Sequence, residues 1–281
     1  MNMRLSINLT HASILTFALS LSACGGGGDS GSTGPLPRQG VFLDSAVSGL
    51  TYTCGDKTGT TDANGTFSFK DGERCSFKVG DIALGETTGS AVITPVSLVN
   101  GATSETNLQA SNIARLLQTL DADGNPSNGI TISDTTKSVL QNSALDFASA
   151  NFASNAQTLV TLVDRTKTLV SDVAAQAHLR SSILSQIAGT YRCTYGGSDS
   201  GSGTATLTTN GTLGIITGSG SSRDGGNGTF RGAFNSSGQA TFAFGSVSSG
   251  ATFTGKFGVD GSASGSWQNG TFTGTWQCTK A

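Results

Sequence analysis

Residues 251–278 read ATFTGKFGVDGSASGSWQNGTFTGTWQC, in which large apolar residues alternate with small polar ones along three short runs. Such alternation predicts β-strands that bury one face and expose the other. Asp260-Gly261 and Asn269-Gly270 separate the runs, and both dipeptides favour tight hairpin turns. The stretch therefore predicts three consecutive antiparallel strands.

The same pattern continues towards the N-terminus, so that about eight runs can be counted between residues 189 and 281. The large aromatic residues occupy alternate positions and share one predicted face: Phe230, Phe234, Phe242, Phe244, Phe253, Phe257, Phe272 and Trp276. Glycines at intervening positions of that face would leave room for the rings: Gly232, Gly255 and Gly274. We predict an antiparallel β-meander or barrel over residues 189–281, because closure removes exposed sheet edges.

The chain has five cysteines, of which four lie beyond the N-terminal segment: Cys54, Cys75, Cys193 and Cys278. Three pairings are possible, and we predict Cys54–Cys75 and Cys193–Cys278 because each pair lies within one compositional block. The second bond would lie on the aromatic face and join the first strand of the meander to the last. Zinc is the alternative, but no C-x-x-C spacing and no nearby histidine support it.

Residues 39–100 contain further short alternating runs separated by Gly, Asp and Asn turns, a pattern typical of a small β-sandwich. Asp62-Ala63-Asn64-Gly65 predicts a hairpin within it. The stretch GLTYTCGDKTGTTDANGTFSF (49–69) resembles the transthyretin-like, carboxypeptidase-regulatory type of β-sandwich, and the resemblance covers residues 39–99. It implies a stalk or binding appendage rather than a catalytic domain.

Residues 101–188 are predicted to be helical. Ile113, Leu116, Leu117 and Leu120 recur at helical spacing, and a weaker helix is predicted between Asp134 and Phe152. A long amphipathic pattern follows on one predicted face: Leu159, Leu162, Val163, Leu169, Val170, Val173, Ala177, Leu184 and Ile187. We expect these apolar faces to pack on one another and on the preceding β-block; a groove for a partner is the alternative.

The loop DADGNPSN (121–128) is the best candidate for a metal site. Asp121, Asp123 and Asn125 alternate as oxygen ligands do in Ca²⁺-binding loops, and Asn128 could add a fourth. The loop departs from an EF-hand, since Pro126 replaces the turn glycine and a bidentate glutamate is missing. The alternative is a turn held by Asx hydrogen bonds after a helix. Calcium is therefore a possible cofactor, and no other cofactor is predicted.

The N-terminal residues 1–23 predict a signal peptide, because a short positive start precedes an apolar stretch too short to span a bilayer. Leu21-Ser22-Ala23-Cys24 resembles the lipobox of bacterial lipoproteins, in which the cysteine thiol carries lipid. Gly25 after the cysteine favours the outer membrane within that family. Residues 24–38 predict a Gly/Ser-rich tether. The alternative is an ordinary secretory signal with Cys24 in a disulfide.

From ITPVSLV through RLLQTLDADGNPSNGI, residues 39–185 resemble an uncharacterised group of proteobacterial lipoproteins that share a TP-x-x-LV, RLLQ-x-LD-x-DG-x-P-x-NGI arrangement. The resemblance implies a cell-envelope protein and brings no activity with it.

The composition limits the classes of function. Sixteen Lys and Arg against 18 Asp and Glu, without a basic cluster, argue against nucleic acid as a partner. His178 is the only histidine after the signal peptide, and no G-x-S-x-G segment occurs. We therefore predict a non-enzymatic α+β, mostly β lipoprotein of the outer membrane that faces the periplasm or the surface and binds an unknown protein or carbohydrate. The alternative is an inhibitor or a small-ligand-binding barrel, and a packed aromatic interior would exclude a carrier with an internal cavity.

Overall fold

A computed structural model of the chain describes residues 36–224, 226–245 and 250–281. The predicted signal peptide (1–23), Cys24 and all but the last three residues of the predicted tether lie outside the described residues. All of the described residues belong to one unit, Pro35–Ala281. No helix in the described part of the chain is long and apolar enough to cross a membrane.

The first block consists of eight short strands that follow the alternating runs of the sequence. They are β1 (Arg38–Phe42), β2 (Val47–Ser48), β3 (Thr51–Cys54), β4 (Lys57–Thr60), β5 (Thr66–Phe69), β6 (Arg74–Val79), β7 (Ile82–Thr88) and β8 (Val92–Ile93). Seven of them form a three-stranded sheet in the order β5-β1-β8 and a four-stranded sheet in the order β4-β3-β6-β7, and β2 pairs with a later strand. The hairpin predicted at Asp62–Gly65 is wrong, because the turn joins β4 to β5, which lie in different sheets and do not pair with each other. The φ of 72° at Gly65 still explains the glycine of the turn.

Aromatic side chains pack the two sheets against each other. Phe42 and Phe67 on the first sheet lie 4.9 and 5.2 Å from the Phe77 ring on the second, and Tyr52 lies 5.8 Å from Phe67. Phe42 and Phe67 both contact the Phe77 ring edge-on, an arrangement that the quadrupoles of aromatic rings favour. The predicted β-sandwich is therefore present.

Four helices follow: α1 (Leu108–Leu120), α2 (Asp134–Val139), α3 (Phe152–Val163) and α4 (Asp172–Ile187). Asn107 and Ser171 cap α1 and α4 through side-chain oxygens that accept backbone N–H bonds of the first turn. A short strand, β9 (Ile130–Thr131), lies between α1 and α2 and pairs in parallel with β2. The apolar faces of α1 and α3 join the core of the sandwich.

The weaker helix predicted between Asp134 and Phe152 is present as α2, which ends at Val139, and turns occupy most of the remainder. The other helical prediction needs correction. The long amphipathic pattern is two helices, because the chain turns between Asp164 and Ser171. The turn changes the buried face: Leu162, Val173 and Ala177 of the predicted apolar stripe are exposed, and α4 instead buries Ala175, Leu179 and Ile183.

The remaining strands are β10 (Gly189–Gly197), β11 (Gly201–Thr209), β12 (Gly214–Ser222), β13 (Gly226–Phe234), β14 (Gln239–Phe244), β15 (Ala251–Phe257), β16 (Ser262–Asn269) and β17 (Phe272–Lys280). Each pairs antiparallel with the next, and β17 returns to β10, so the sheet is a closed eight-stranded barrel. The predicted fold class, mostly β with a helical segment and a C-terminal barrel, is confirmed.

The barrel interior is packed with aromatic rings. Phe242 stacks on Phe253 with centroids 5.0 Å apart, and Trp276 meets Phe242 edge-on at 5.2 Å. A side chain at Gly255 would collide with Trp276, and one at Gly274 would collide with Trp267, which agrees with the role predicted for these glycines. A void among these rings measures about 10 Å³, too small for a ligand, so the rings fill this part of the described barrel.

Both predicted cysteine pairs lie at disulfide distance. Cys54 is directly opposite Cys75 on β3 and β6, and Cys193 is directly opposite Cys278 on β10 and β17. The second pair links the two strands that close the barrel and is directed into its interior beside Trp276.

Helix α4 packs on one end of the barrel. This contact differs from the prediction, in which the helices packed only on one another and on the β-sandwich. Leu179, Ile183 and Ile187 join the barrel core, and the Tyr191 hydroxyl donates to the Ile187 carbonyl at 2.8 Å. The carboxylate of buried Glu105 accepts bonds of 2.7 Å from Arg180 of α4 and from Ser236 in the turn between β13 and β14. One end of the barrel is therefore covered, and the other is free of helix contacts among the described residues.

Candidate ligand site at the barrel mouth

The uncovered end of the barrel, here called the mouth, holds a cavity of about 430 Å³. It is built where β10, β12, β14 and β16 end and where β15 and β17 begin. Its lining combines rings with polar groups: Tyr195, Asp199, Ser222, Phe244, Phe253, Trp267, Asn269 and Phe272. A volume of this size suits a small ligand or one protruding group of a larger one.

Fixed aromatic rings form the floor of the mouth. Tyr195 meets Trp267 edge-on at 5.7 Å and Phe253 edge-on at 5.6 Å. The Trp267 indole N–H donates to the Gly196 carbonyl at 3.0 Å, which satisfies its polar atom and fixes the ring plane. Because the rings below leave almost no void, the mouth is a shallow cup and not the entrance to a deep cavity.

The prediction that Phe272 lies on the buried aromatic face needs correction. It belongs to the inward-facing positions of β17, yet 58% of it is exposed because the strand begins at the rim of the barrel. Trp267, absent from the predicted aromatic face, is buried in the floor. The rim therefore has one exposed ring, that of Phe272, above the buried rings of the floor.

Asp199 supplies a fixed negative charge at the wall of the mouth. Its Oδ2 accepts a bond of 2.5 Å from the Ser222 hydroxyl and one of 3.4 Å from the Tyr195 hydroxyl, and its Oδ1 accepts from the Ser200 N–H. The Ser222 bond, followed by the Ser200 amide, holds the pKa of Asp199 below its usual value, so the group is a carboxylate at neutral pH. Burial raises the pKa of Tyr195, which therefore keeps its proton.

The predicted calcium loop lies elsewhere, between α1 and β9. Asp123 accepts bonds of 2.9 Å from the Asn125 N–H and from the Asn128 side-chain amide, and Asn125 accepts from the Ser127 N–H. These are the Asx bonds of the alternative interpretation, and in this arrangement Asn128 supports Asp123. Among the described residues, no three His, Cys, Asp or Glu side chains converge as a metal site.

A buried polar cluster that the sequence analysis missed surrounds Asp44, directly after β1. Gln118 of α1 donates to both Asp44 oxygens at 3.2 and 3.0 Å. His178 Nε2 lies 3.8 Å from Asp44 Oδ1 and 3.1 Å from the Ser45 hydroxyl, beside a surface cleft of about 500 Å³. A catalytic triad places its acid and its nucleophile at opposite ring nitrogens. Here both face Nε2, so the cluster does not match that arrangement.

Burial dominates the electrostatics of this cluster. Complete burial raises the pKa of Asp44 to about 7, and the Gln118 bond offsets only part of that shift. Burial also lowers the pKa of His178. The sequence held one signal, since a charged residue, Asp44, lies with Ser45 between apolar residues in VFLDSAV (41–47).

Comparison with known proteins assigns no family. No protein-family model matches the chain, and no curated protein matches it. Among solved structures, the chain is similar to a de novo designed fluorescence-activating β barrel. The match is 19% identical and covers 35% of this chain and 96% of the designed one, with a TM-score of 0.30. A likeness of this extent indicates neither a function nor a ligand for the chain.

Proposed function

We propose that the protein is a non-catalytic lipoprotein of the bacterial outer membrane that binds a ligand in the mouth of its barrel. The observation that carries the proposal is the cup of ordered aromatic rings with the carboxylate of Asp199 at its wall. The likeness of Leu21-Ser22-Ala23-Cys24 to a lipobox supports the anchor. A binding role accounts for the exposed ring of Phe272 at the rim of this cup.

A carbohydrate is the ligand class that best fits the mouth. A sugar ring has apolar C–H faces, which match the floor of Tyr195 and Trp267, and hydroxyl donors, which match the carboxylate of Asp199. Tyr and Trp suit such contacts because each joins a large apolar surface to a polar tip. The rim ring of Phe272 would cover one side of the bound sugar.

Titration of the full-length chain in a non-ionic detergent that lacks a sugar headgroup tests ligand binding through tryptophan fluorescence. The chain has two tryptophans, and only Trp267 lies in the mouth, because Trp276 is enclosed in the barrel. We expect a saturable change of emission with envelope oligosaccharides, and its loss in W267F. D199N is expected to weaken binding about tenfold, since a charge-assisted hydrogen bond contributes roughly 1.5 kcal/mol or more.

D260N provides the matched control for D199N. Asp260 also accepts backbone and hydroxyl bonds in a turn of the barrel, but it lies at the end covered by α4. Its binding curve should coincide with that of the wild type. A saturable response that is equal in wild type, W267F and D199N would place the ligand elsewhere, and no response to any saccharide would overturn the carbohydrate class.

The anchor has its own test. Cells fed a labelled fatty acid should incorporate the label into the wild-type chain and not into C24S. The variant should also leave the membrane fraction, because acyl chains are the hydrophobic attachment that the proposal assigns to the protein. Unlabelled wild-type protein with unchanged fractionation of C24S would contradict the lipoprotein assignment.

A further inference from the structure

We infer that the loop of residues 121–128 binds one calcium ion, with oxygens of Asp121, Asp123 and Asn125 as its protein ligands. The inference is independent of the barrel mouth. It concerns the turn that joins α1 to β9.

The first observation is a buried carboxylate oxygen without a donor. Asp121 is 1% exposed, and its Oδ1 accepts the Thr131 N–H at 2.9 Å. Its Oδ2 has no hydrogen-bond partner among the described residues. A buried acceptor left unpaired is costly, and such exceptions in native proteins commonly mark an ion or water.

The second observation is a neighbouring carboxylate. The carboxyl groups of Asp121 and Asp123 are close enough to interact electrostatically. Two neighbouring carboxylates repel each other unless a proton or a cation offsets their charge.

The ligand set selects the type of cation. Carboxylate and amide oxygens are hard ligands, and Ca²⁺ accepts them in irregular geometry with water in the remaining positions. Ala122 to Asn125 are exposed, so water can reach the solvent side of the loop. The Lys167 ammonium donates to the main-chain carbonyl of Asp121 and leaves its Oδ2 without a donor. Two carboxylates place the affinity in the weak range of extracellular modules, with a Kd of about 0.1–1 mM.

Thermal unfolding of the full-length chain with calcium tests the inference. At 10 mM CaCl₂ we expect the Tm to rise by about 3–10 °C, the shift for a ligand at roughly 10 to 100 times its Kd. The same concentration of MgCl₂ should raise it less, because Mg²⁺ demands regular octahedral geometry and gives up water reluctantly. D123N and N125A should each weaken calcium binding at least tenfold. Both side chains are exposed, so both variants should fold, which their Tm without calcium checks.

D62N is the matched control, because Asp62-Ala63-Asn64-Gly65 repeats the D-A-x-G pattern of residues 121–124 in an exposed turn. Asp62 accepts the N–H groups of Asn64 and Thr66. The calcium response of D62N should equal that of the wild type. An unchanged wild-type Tm in 10 mM CaCl₂ would overturn the inference, and so would a calcium response that D123N leaves intact.

Discussion

Replacing Cys193 and Cys278 together by alanine is expected to lower the free energy of unfolding by roughly 4.5 kcal/mol. The bond spans 85 residues, and the entropy that a cross-link removes from the unfolded chain grows with the length of the loop it closes. It also joins β10 to β17, the two strands that complete the barrel and are furthest apart along it. Urea unfolding of oxidised wild type and variant, followed by far-UV circular dichroism, measures the difference.

The pair Cys54 and Cys75 provides the comparison. Its bond also joins directly opposite residues of antiparallel neighbours, but it spans only 21 residues. The double alanine variant at this pair should therefore lose less, roughly 3 kcal/mol. Equal losses in the two variants would contradict the loop-length account, and an unchanged stability without Cys193 and Cys278 would contradict the bond itself.

Asp44 is expected to make the protein less stable as the pH rises from 5 to 8, by roughly 3 kcal/mol. In the unfolded chain its pKa is near 3.8, and burial raises the folded value to about 7. Between these values the native state holds a proton that the unfolded state has lost. The contribution of Asp44 is therefore complete below pH 3.8 and disappears as the pH rises through 7.

D44N isolates this contribution, because an amide of the same shape carries no charge at any of these pH values. The variant should lack the fall in stability between pH 5 and 8 and should exceed the wild type at pH 8. His178 acts in the opposite direction, since its lowered pKa reduces stability as the pH falls below about 6.5; D44N retains that contribution. D260N, at an exposed turn, should follow the wild type. Parallel curves for wild type and D44N would show that Asp44 does not retain a proton near neutral pH.

Local patterns predicted the barrel well because strand register depends on alternation and on turns. Asn269-Gly270 and Asp260-Gly261 mark hairpins, and the alternate aromatic residues define the inner face, so each run has one consistent orientation. The disulfide pairs followed from the same blocks. The helices were harder to predict: the stripe from Leu159 to Ile187 is continuous in sequence, whereas the turn before α4 directs its two halves to different cores.

The candidate sites also divide into one that local sequence predicted and others that it did not. Asp121, Asp123 and Asn125 are close in sequence, so their spacing alone suggested a metal loop. The mouth joins residues from six strands, and the Asp44 cluster joins residues 44, 118 and 178. Contacts between positions so far apart leave no periodic pattern in a single chain, although an aspartate between apolar residues in VFLDSAV was a usable signal.

The sequence by itself determined the strands of the barrel, their inner and outer faces and the hairpin turns between them, because these depend on neighbours a few residues apart or on parity along a strand. Only the tertiary structure decided which end of the barrel α4 covers, which rings stay at the open mouth, and that Asp44 is buried beside Gln118 and His178. The physical reason is that burial depends on which surfaces meet. A side chain loses water, and its pKa shifts, only when distant segments pack around it.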